Sequence, residues 1–265
     1  MILCIPSLGR RVAAEAVGTG LLALAVVGSG LQAAALSQDG GVQLLTNTVA
    51  SVCALGVLIT VFAPVSGGHL NPLITAGVWW TNRGTAQALR ARELAGYLLG
   101  QLGGAVAGVA VAGLMFDQDS LGAAHQVRSG AAQWTGEVVA TGVLLLVAFG
   151  LARGGQQRKV PVAVAGWVTA GIWATASGGF ANPALTVARS LSDSQTGIAP
   201  VSVPGFVLAQ VVGAVIGLLL LALVFGPRPR PADQTEVERP VGKPVERPVE
   251  LPAQRVGAES LRRAS

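Results

Sequence analysis

One ten-residue motif is written twice in this chain. Ser66-Gly67-Gly68-His69-Leu70-Asn71-Pro72-Leu73-Ile74-Thr75 returns as Ser177-Gly178-Gly179-Phe180-Ala181-Asn182-Pro183-Ala184-Leu185-Thr186. Each copy sets Asn-Pro after a Gly-rich turn and before an apolar stretch of about ten residues, too short to cross a bilayer, which takes roughly 20. A short apolar helix beside full-length spans reads as a half-helix inserted into the protein interior. Two such Gly/Pro-interrupted segments at matching places in two halves point to a transport site near the membrane midplane.

The duplication extends beyond the motif. Ala14-Glu15-Ala16-Val17-Gly18-Thr19 is answered by Gly136-Glu137-Val138-Val139-Ala140-Thr141, and the stretch around Gln101 (96–105) by the stretch around Gln210 (204–214). The order is the same in both halves: a Glu-bearing span, the Asn-Pro motif, a Gln-bearing span. That is an internal repeat. Six apolar runs, at about 10–31, 42–63, 90–114, 132–151, 159–176 and 203–225, have spanning length, the fifth being the shortest. Glycine is frequent inside them, and the runs Gly100–Gly104 and Gly104–Gly108 predict close helix contact, because lipid offers no hydrophobic drive for association and small residues let backbones approach.

Basic residues set the expected orientation. Arg10, Arg11, Arg83, Arg90, Arg92, Arg153, Arg158, Lys159, Arg228 and Arg230 fall on one side of this arrangement. Arg128 and Arg189 fall on the other, beside Asp39, Asp117, Asp119 and Asp193. The positive-inside rule then places both termini in the cytoplasm of a multi-pass inner-membrane protein. Three spans per half is an odd number, so the second half is inverted and the two half-helices enter from opposite faces. The first apolar run continues to spanning length, which reads as a span rather than a cleavable leader. Cys4 and Cys53 give no disulfide framework. The basic balance suits anionic lipid headgroups, with no nucleic-acid module behind it. The expected organisation is a cytoplasmic N-terminus (1–9), a channel domain (10–226, repeats at about 10–114 and 132–226) and a Pro-rich cytoplasmic tail (227–265). In the tail, mixed charge and the recurring Val-Glu-Arg-Pro predict an extended disordered segment.

The two Asn-Pro half-helices, the two Glu and the two Gln landmarks resemble the aquaporin / major intrinsic protein family of channels, over about residues 8–226. The resemblance implies an all-α membrane fold: a right-handed bundle of six transmembrane helices plus two re-entrant half-helices, assembled as a homotetramer with one pore per subunit. It implies passive conduction of small neutral solutes, with no enzyme activity, cofactor or metal. Asn71, Pro72, Leu73, Asn182, Pro183 and Ala184 would form the pore centre, where each Pro opens a helix at no hydrogen-bonding cost. Each half-helix then turns its positive end inward, and the Asn amides donate to a passing oxygen while cations are repelled. Glu15 and Glu137, expensive inside apolar spans, would hold the loops by accepting backbone N–H bonds. Gln101 and Gln210 would join helices, and His69 would line the inner vestibule.

The chain departs from the family pattern at the outer filter. Where members usually carry Arg directly after the second Asn-Pro-Ala, Leu185 stands. Counting offsets assigns the remaining filter positions to Gly179, Ala170 and the neighbourhood of Ser51 and Cys53, so a wide, apolar filter without its fixed cation is expected. Arg189, one turn beyond Leu185, either restores charge at the outer mouth or anchors the helix at the interface. Leu73 replaces the usual Ala in the first motif. This pattern resembles a bacterial subgroup linked to arsenic resistance, which implies water, glycerol-like polyols and trivalent metalloids as solutes. An ion-coupled secondary transporter and a non-conducting structural member remain alternatives. The first needs a coupling-ion carboxylate that the spans do not spare, and the second needs Leu73 and Leu185 to close the pore.

Overall fold

In the computed structural model, residues 6–85, 88–118 and 121–226 are described. The tail at 227–265 and Cys4 lie outside them. The described residues form eight α-helices and two short 3-10 turns. α1 (Leu8–Leu36) and α2 (Gly40–Ser66) begin on side-chain caps: Ser7 accepts from Arg10 N and Asp39 from Val42 N. These caps satisfy N–H groups that a helix start leaves without partners. α3 (Pro72–Thr81) is the first half-helix and α4 (Ala91–Met115) closes the first half. The second half repeats the sequence as α5 (Ala131–Arg153), α6 (Val160–Ala174), the half-helix α7 (Pro183–Arg189) and α8 (Val203–Phe225).

Five helices (α1, α2, α4, α5 and α8) are long and apolar enough to cross a membrane. The run expected at 159–176 is shorter as an α-helix, because it ends at Ala174 and Thr175 is extended (φ −118°, ψ 142°). The 3-10 turn Gln157–Lys159 runs directly into it. Together they measure about 28 Å at the rises of the two helix types, close to a hydrocarbon core of about 30 Å. α6 packs between α2 and α5 and completes the bundle.

The packing repeats with the sequence. α1 lies on α2 and α4 as α5 lies on α6 and α8, and each half-helix also touches the last helix of the other half. The tightest seams are built from glycine. A Cβ on Gly104 would strike the Ala16 carbonyl oxygen and one on Gly108 that of Gly20. In the second half Gly213 and Gly217 meet the carbonyls of Val138 and Gly142 in the same way. Gly100–Gly108 is therefore a contact face, as its composition predicts. The helices approach until their backbones touch, which secures dispersion contacts where lipid provides no hydrophobic drive.

Candidate solute pathway

The site grows from two loops and the two carboxylates that hold them. Glu15 on α1 is fully buried and accepts four hydrogen bonds. Ser66 Oγ (2.6 Å) and His69 N (2.9 Å) donate to Oε1; Leu70 N (2.7 Å) and Gln101 Nε2 (2.7 Å) donate to Oε2. Glu137 on α5, equally buried, accepts from Phe180 N (2.8 Å), Ala181 N (2.9 Å) and Gln210 Nε2 (2.6 Å). A charge at this depth persists only when donors replace its hydration. The backbone donors are available because the loops fold back on themselves: Leu70 and Ala181 sit at φ 49° and 48°, in the left-handed region that residues with a Cβ rarely enter. Gly68 and Gly179 (φ 60° and 57°) precede this turn. A side chain at Gly68 would also press on Ile59 O at 2.9 Å.

Gln101 and Gln210 tie each scaffold to its half-helix. Gln101 Nε2 also donates to Thr75 Oγ1 (2.9 Å) and Gln210 Nε2 to Thr186 Oγ1 (2.8 Å). The two threonines in turn donate to Asn71 O and Asn182 O. Both Asn residues cap with their carbonyl oxygens: Asn71 Oδ1 accepts from Leu73 N, and Asn182 Oδ1 from Ala184 N and Leu185 N. Their amide nitrogens reach across the repeat. Asn71 Nδ2 donates to Ala181 O and Asn182 Nδ2 to Leu70 O, each at 2.8 Å. These reciprocal bonds hold the two half-helix tips together at the centre of the bundle.

A cavity of about 430 Å³ passes this junction. α2 lines it along one stripe: Gln43, Asn47, Ser51, Leu55 and Ile59. α6 contributes Val160, Val164, Val168 and Ile172; α1 adds Leu22 and Val26, and α5 adds Leu144 and Ala148. Since Gly40 and Gly67, at opposite ends of α2, both border it, the cavity follows roughly 40 Å of helix. Asn71, Asn182, Leu185, Gly179, Ser51, His69 and Arg189 are all on its wall. Pro72, Leu73, Pro183 and Ala184 are not among its lining residues; Leu73 and Ala184 are buried behind it.

Two expected filter residues lie elsewhere. Cys53 is exposed on the outer face of α2, and Ala170 is exposed on α6. Each is two residues, about 200° of helical rotation, from a lining residue of its own helix, so neither can share that residue's face. Counting back from Asn182 misplaces the α6 position because α6 ends at Ala174 and the chain is extended at Thr175. Val168 and Ile172 face the cavity in place of Ala170. The polar spacing of Gln43, Asn47 and Ser51, four residues apart in an apolar helix, is the sequence signal that marks the α2 stripe.

The wall is also not uncharged. Arg189 is only 9% exposed, donates through Nε to Thr196 O (2.5 Å), and lays its guanidinium carbon 3.4 Å from the Phe180 ring centroid. Burial at this depth excludes the interfacial-anchor reading. Arg128, which sequence reading used only to count loop charge, reaches the same place. It donates to Gly197 O, Gln195 O and Gln126 Oε1 and stands 5.2 Å from the same ring centroid. Burial lowers its pKa, while the Glu137 charge acts in the opposite sense. The opposite end carries His69, tilted against Tyr97 (5.4 Å between ring centroids) with Nδ1 3.1 Å from Thr75 Oγ1. That hydroxyl already donates to Asn71 O, so His69 Nδ1 is the donor and Nε2 is left as an acceptor.

Comparison with known proteins gives a consistent picture. The family described as "Major intrinsic protein" matches residues 4–173 and again 137–246. Aquaglyceroporin AqpS of Rhizobium meliloti (strain 1021) is 42% identical over 221 residues, covering 83% of this chain and 92% of that protein. Aquaporin AqpM of Methanothermobacter marburgensis is 28% identical over 251 residues, 83% of this chain and 97% of that protein. The X-ray structure of the aquaglyceroporin from Plasmodium falciparum superposes with a TM-score of 0.67 at 21% identity, covering 83% of this chain and 98% of the other, a likeness of fold.

Proposed function

This chain belongs to the major intrinsic protein family, and from that premise we propose that it is a passive channel for water and glycerol-like solutes. The observation that carries the reading is the cavity of about 430 Å³ that follows α2 past the paired Asn71 and Asn182. Each Asn Nδ2 has two hydrogens and spends one across the repeat, so the second is free to meet a solute oxygen. The facing stripes from α2 and α6 are mostly aliphatic. A solute would slide along them while its hydroxyls are relayed between the two amides. No covalent step is involved. The relatives named for glycerol and water conduction support this solute class.

We extend the proposal to a wide outer constriction. Gly179 offers no side chain there, and Leu185 replaces a guanidinium with an aliphatic group. Compact uncharged polyhydroxy solutes fit such a passage, undissociated arsenous acid with its three hydroxyls and its methylated form with two among them. Cations are turned back by Arg128 and Arg189. The channel would work as a homotetramer in the inner membrane, with His69 toward the cytoplasm and both termini inside.

Stopped-flow light scattering of proteoliposomes tests this. Impermeant sucrose should drive shrinkage well above the rate of empty liposomes, and glycerol should drive shrinkage followed by fast re-swelling, unchanged when ion gradients are collapsed. Shrinkage without re-swelling would refute the wide constriction. Rates equal to the empty control would refute the channel.

A further inference from the structure

We propose that Arg128 and Arg189 form a binding site for a small carboxylate anion at the second-loop end of the cavity, where the bound anion competes with neutral solutes. The inference rests on the channel reading only for that competition; binding itself does not depend on it. The two guanidinium carbons lie 3.4 Å and 5.2 Å from one ring centroid, so they are within 8.6 Å of each other, the sum of those distances. Among the described residues the ion pairs are Arg11–Glu93 and His125–Asp193, so neither arginine is paired with a carboxylate. The carboxylate that acts on both, Glu137, already accepts from Phe180 N, Ala181 N and Gln210 Nε2.

Two desolvated cations against one occupied carboxylate leave a net positive site. Phe180's face and the carbonyls of Gly197, Gln195 and Thr196 offset only part of that cost. These contacts fix Nε of both arginines and one Nη of Arg128, and both side chains border the cavity. The remaining Nη donors suit a carboxylate, whose two oxygens match guanidinium geometry. Further in, Val168, Val164 and Leu22 line the wall, so a charged solute is held at the mouth instead of passing.

The probe is sodium acetate, with its neutral isostere acetamide as control and sodium chloride for ionic strength. Saturation-transfer NMR on the full chain in detergent measures binding without reference to flux. Acetate should bind saturably at least 10-fold more tightly than acetamide, and R128Q or R189Q should weaken it 10-fold or more. R189K, which retains charge, should recover part of the loss, and R83Q, far along the chain on the other loop, should change nothing. In proteoliposomes acetate should slow glycerol re-swelling in proportion to occupancy. Equal binding of acetate and acetamide by the unaltered chain overturns the proposal even if the variants fail to fold, as does undiminished acetate binding in both Gln variants. Acetate binding without any glycerol flux would sustain the site and defeat the channel reading instead; flux insensitive to saturating acetate would defeat the competition.

Discussion

The two Asn-Pro loops have the same skeleton and opposite walls. In both, a buried Glu accepts consecutive loop N–H groups, a Gln bridges that Glu to a Thr, and the Asn amides exchange carbonyls. The side chains turned toward the cavity differ. His69 rests on Tyr97, whose hydroxyl donates to Ser66 O, at one end; Phe180 rests on Phe206 and carries two guanidinium groups at the other. The duplicated residues satisfy the loop backbone, a demand identical in both halves. The divergent residues line the cavity, and the two ends of a cavity need not present the same chemistry.

The largest expected effect comes from breaking the shared skeleton. Glu15→Ala removes the acceptor of four hydrogen bonds and Glu137→Ala that of three, and the loop N–H groups of Leu70, Phe180 and Ala181 are then buried without the partner the carboxylate gave them. At about 1–3 kcal/mol per buried unsatisfied group, either loss is comparable to the whole stability of a domain. Neither variant should give folded protein by size-exclusion yield in detergent. A folded Glu15→Ala with near-normal flux would show that the first loop is held by something else. Glu→Gln separates the halves. At Glu137 it also removes the charge that acts on Arg128 and Arg189, so acetate should bind more tightly to E137Q and no differently to E15Q.

Next come the glycine seams, where the halves should respond alike. Gly104→Ala and Gly213→Ala drive a methyl group into a backbone carbonyl of the facing helix, and neither helix can yield without shifting its other contacts. Overpacking of this kind costs about 1–3 kcal/mol, visible as a lowered thermal unfolding midpoint. Gly103, one residue away with nothing within 4 Å, is the control. Gly103→Ala should be neutral or stabilise by up to about 1 kcal/mol through helix propensity. A Gly103→Ala as damaging as Gly104→Ala would mean that the seam is not what those glycines serve.

The skeleton was legible in the sequence for a physical reason. Glu15, Glu137, Gln101 and Gln210 stand out because ionisable and amide groups in apolar spans must have partners, and their duplication says that the partners are duplicated too. Five spanning helices follow from the lengths of their apolar runs and the two half-helices from the duplicated Asn-Pro breaks, while the run at 159–176 forms a shorter helix than its length suggests. The wall was less legible. Cys53 and Ala170 were placed by counting across a loop, and a count cannot carry helical phase through the extended backbone at Thr175. Arg128 lies between the repeats and has no duplicate to mark it. Its place over Phe180 arises from packing between segments about 50 residues apart, which no local pattern encodes. For Arg189 the sequence leaves two readings open, and it is the burial of its side chain on the cavity wall that distinguishes them.

The smallest effect tests a place where the skeleton itself is unequal. Ser66 Oγ donates to Glu15 Oε1 at 2.6 Å and accepts from Gly68 N at 3.2 Å. Ser177 Oγ accepts from Gly179 N at 3.1 Å, but its other partner is Thr175 Oγ1 at 3.2 Å and not Glu137. A hydrogen bond to a charged acceptor contributes about 1.5–3 kcal/mol, and one between neutral groups about 0.5–1.5. Ser66→Ala should therefore destabilise by about 1 kcal/mol more than Ser177→Ala, a gap of a few degrees in unfolding midpoint for variants purified side by side. Glu137, already one donor poorer, loses nothing directly when Ser177 is truncated. Equal costs would mean that the carboxylate contact at Ser66 adds nothing beyond the turn geometry both serines share. A larger cost at Ser177 would reverse the assignment, making the loop beneath the arginines the one that depends on its serine.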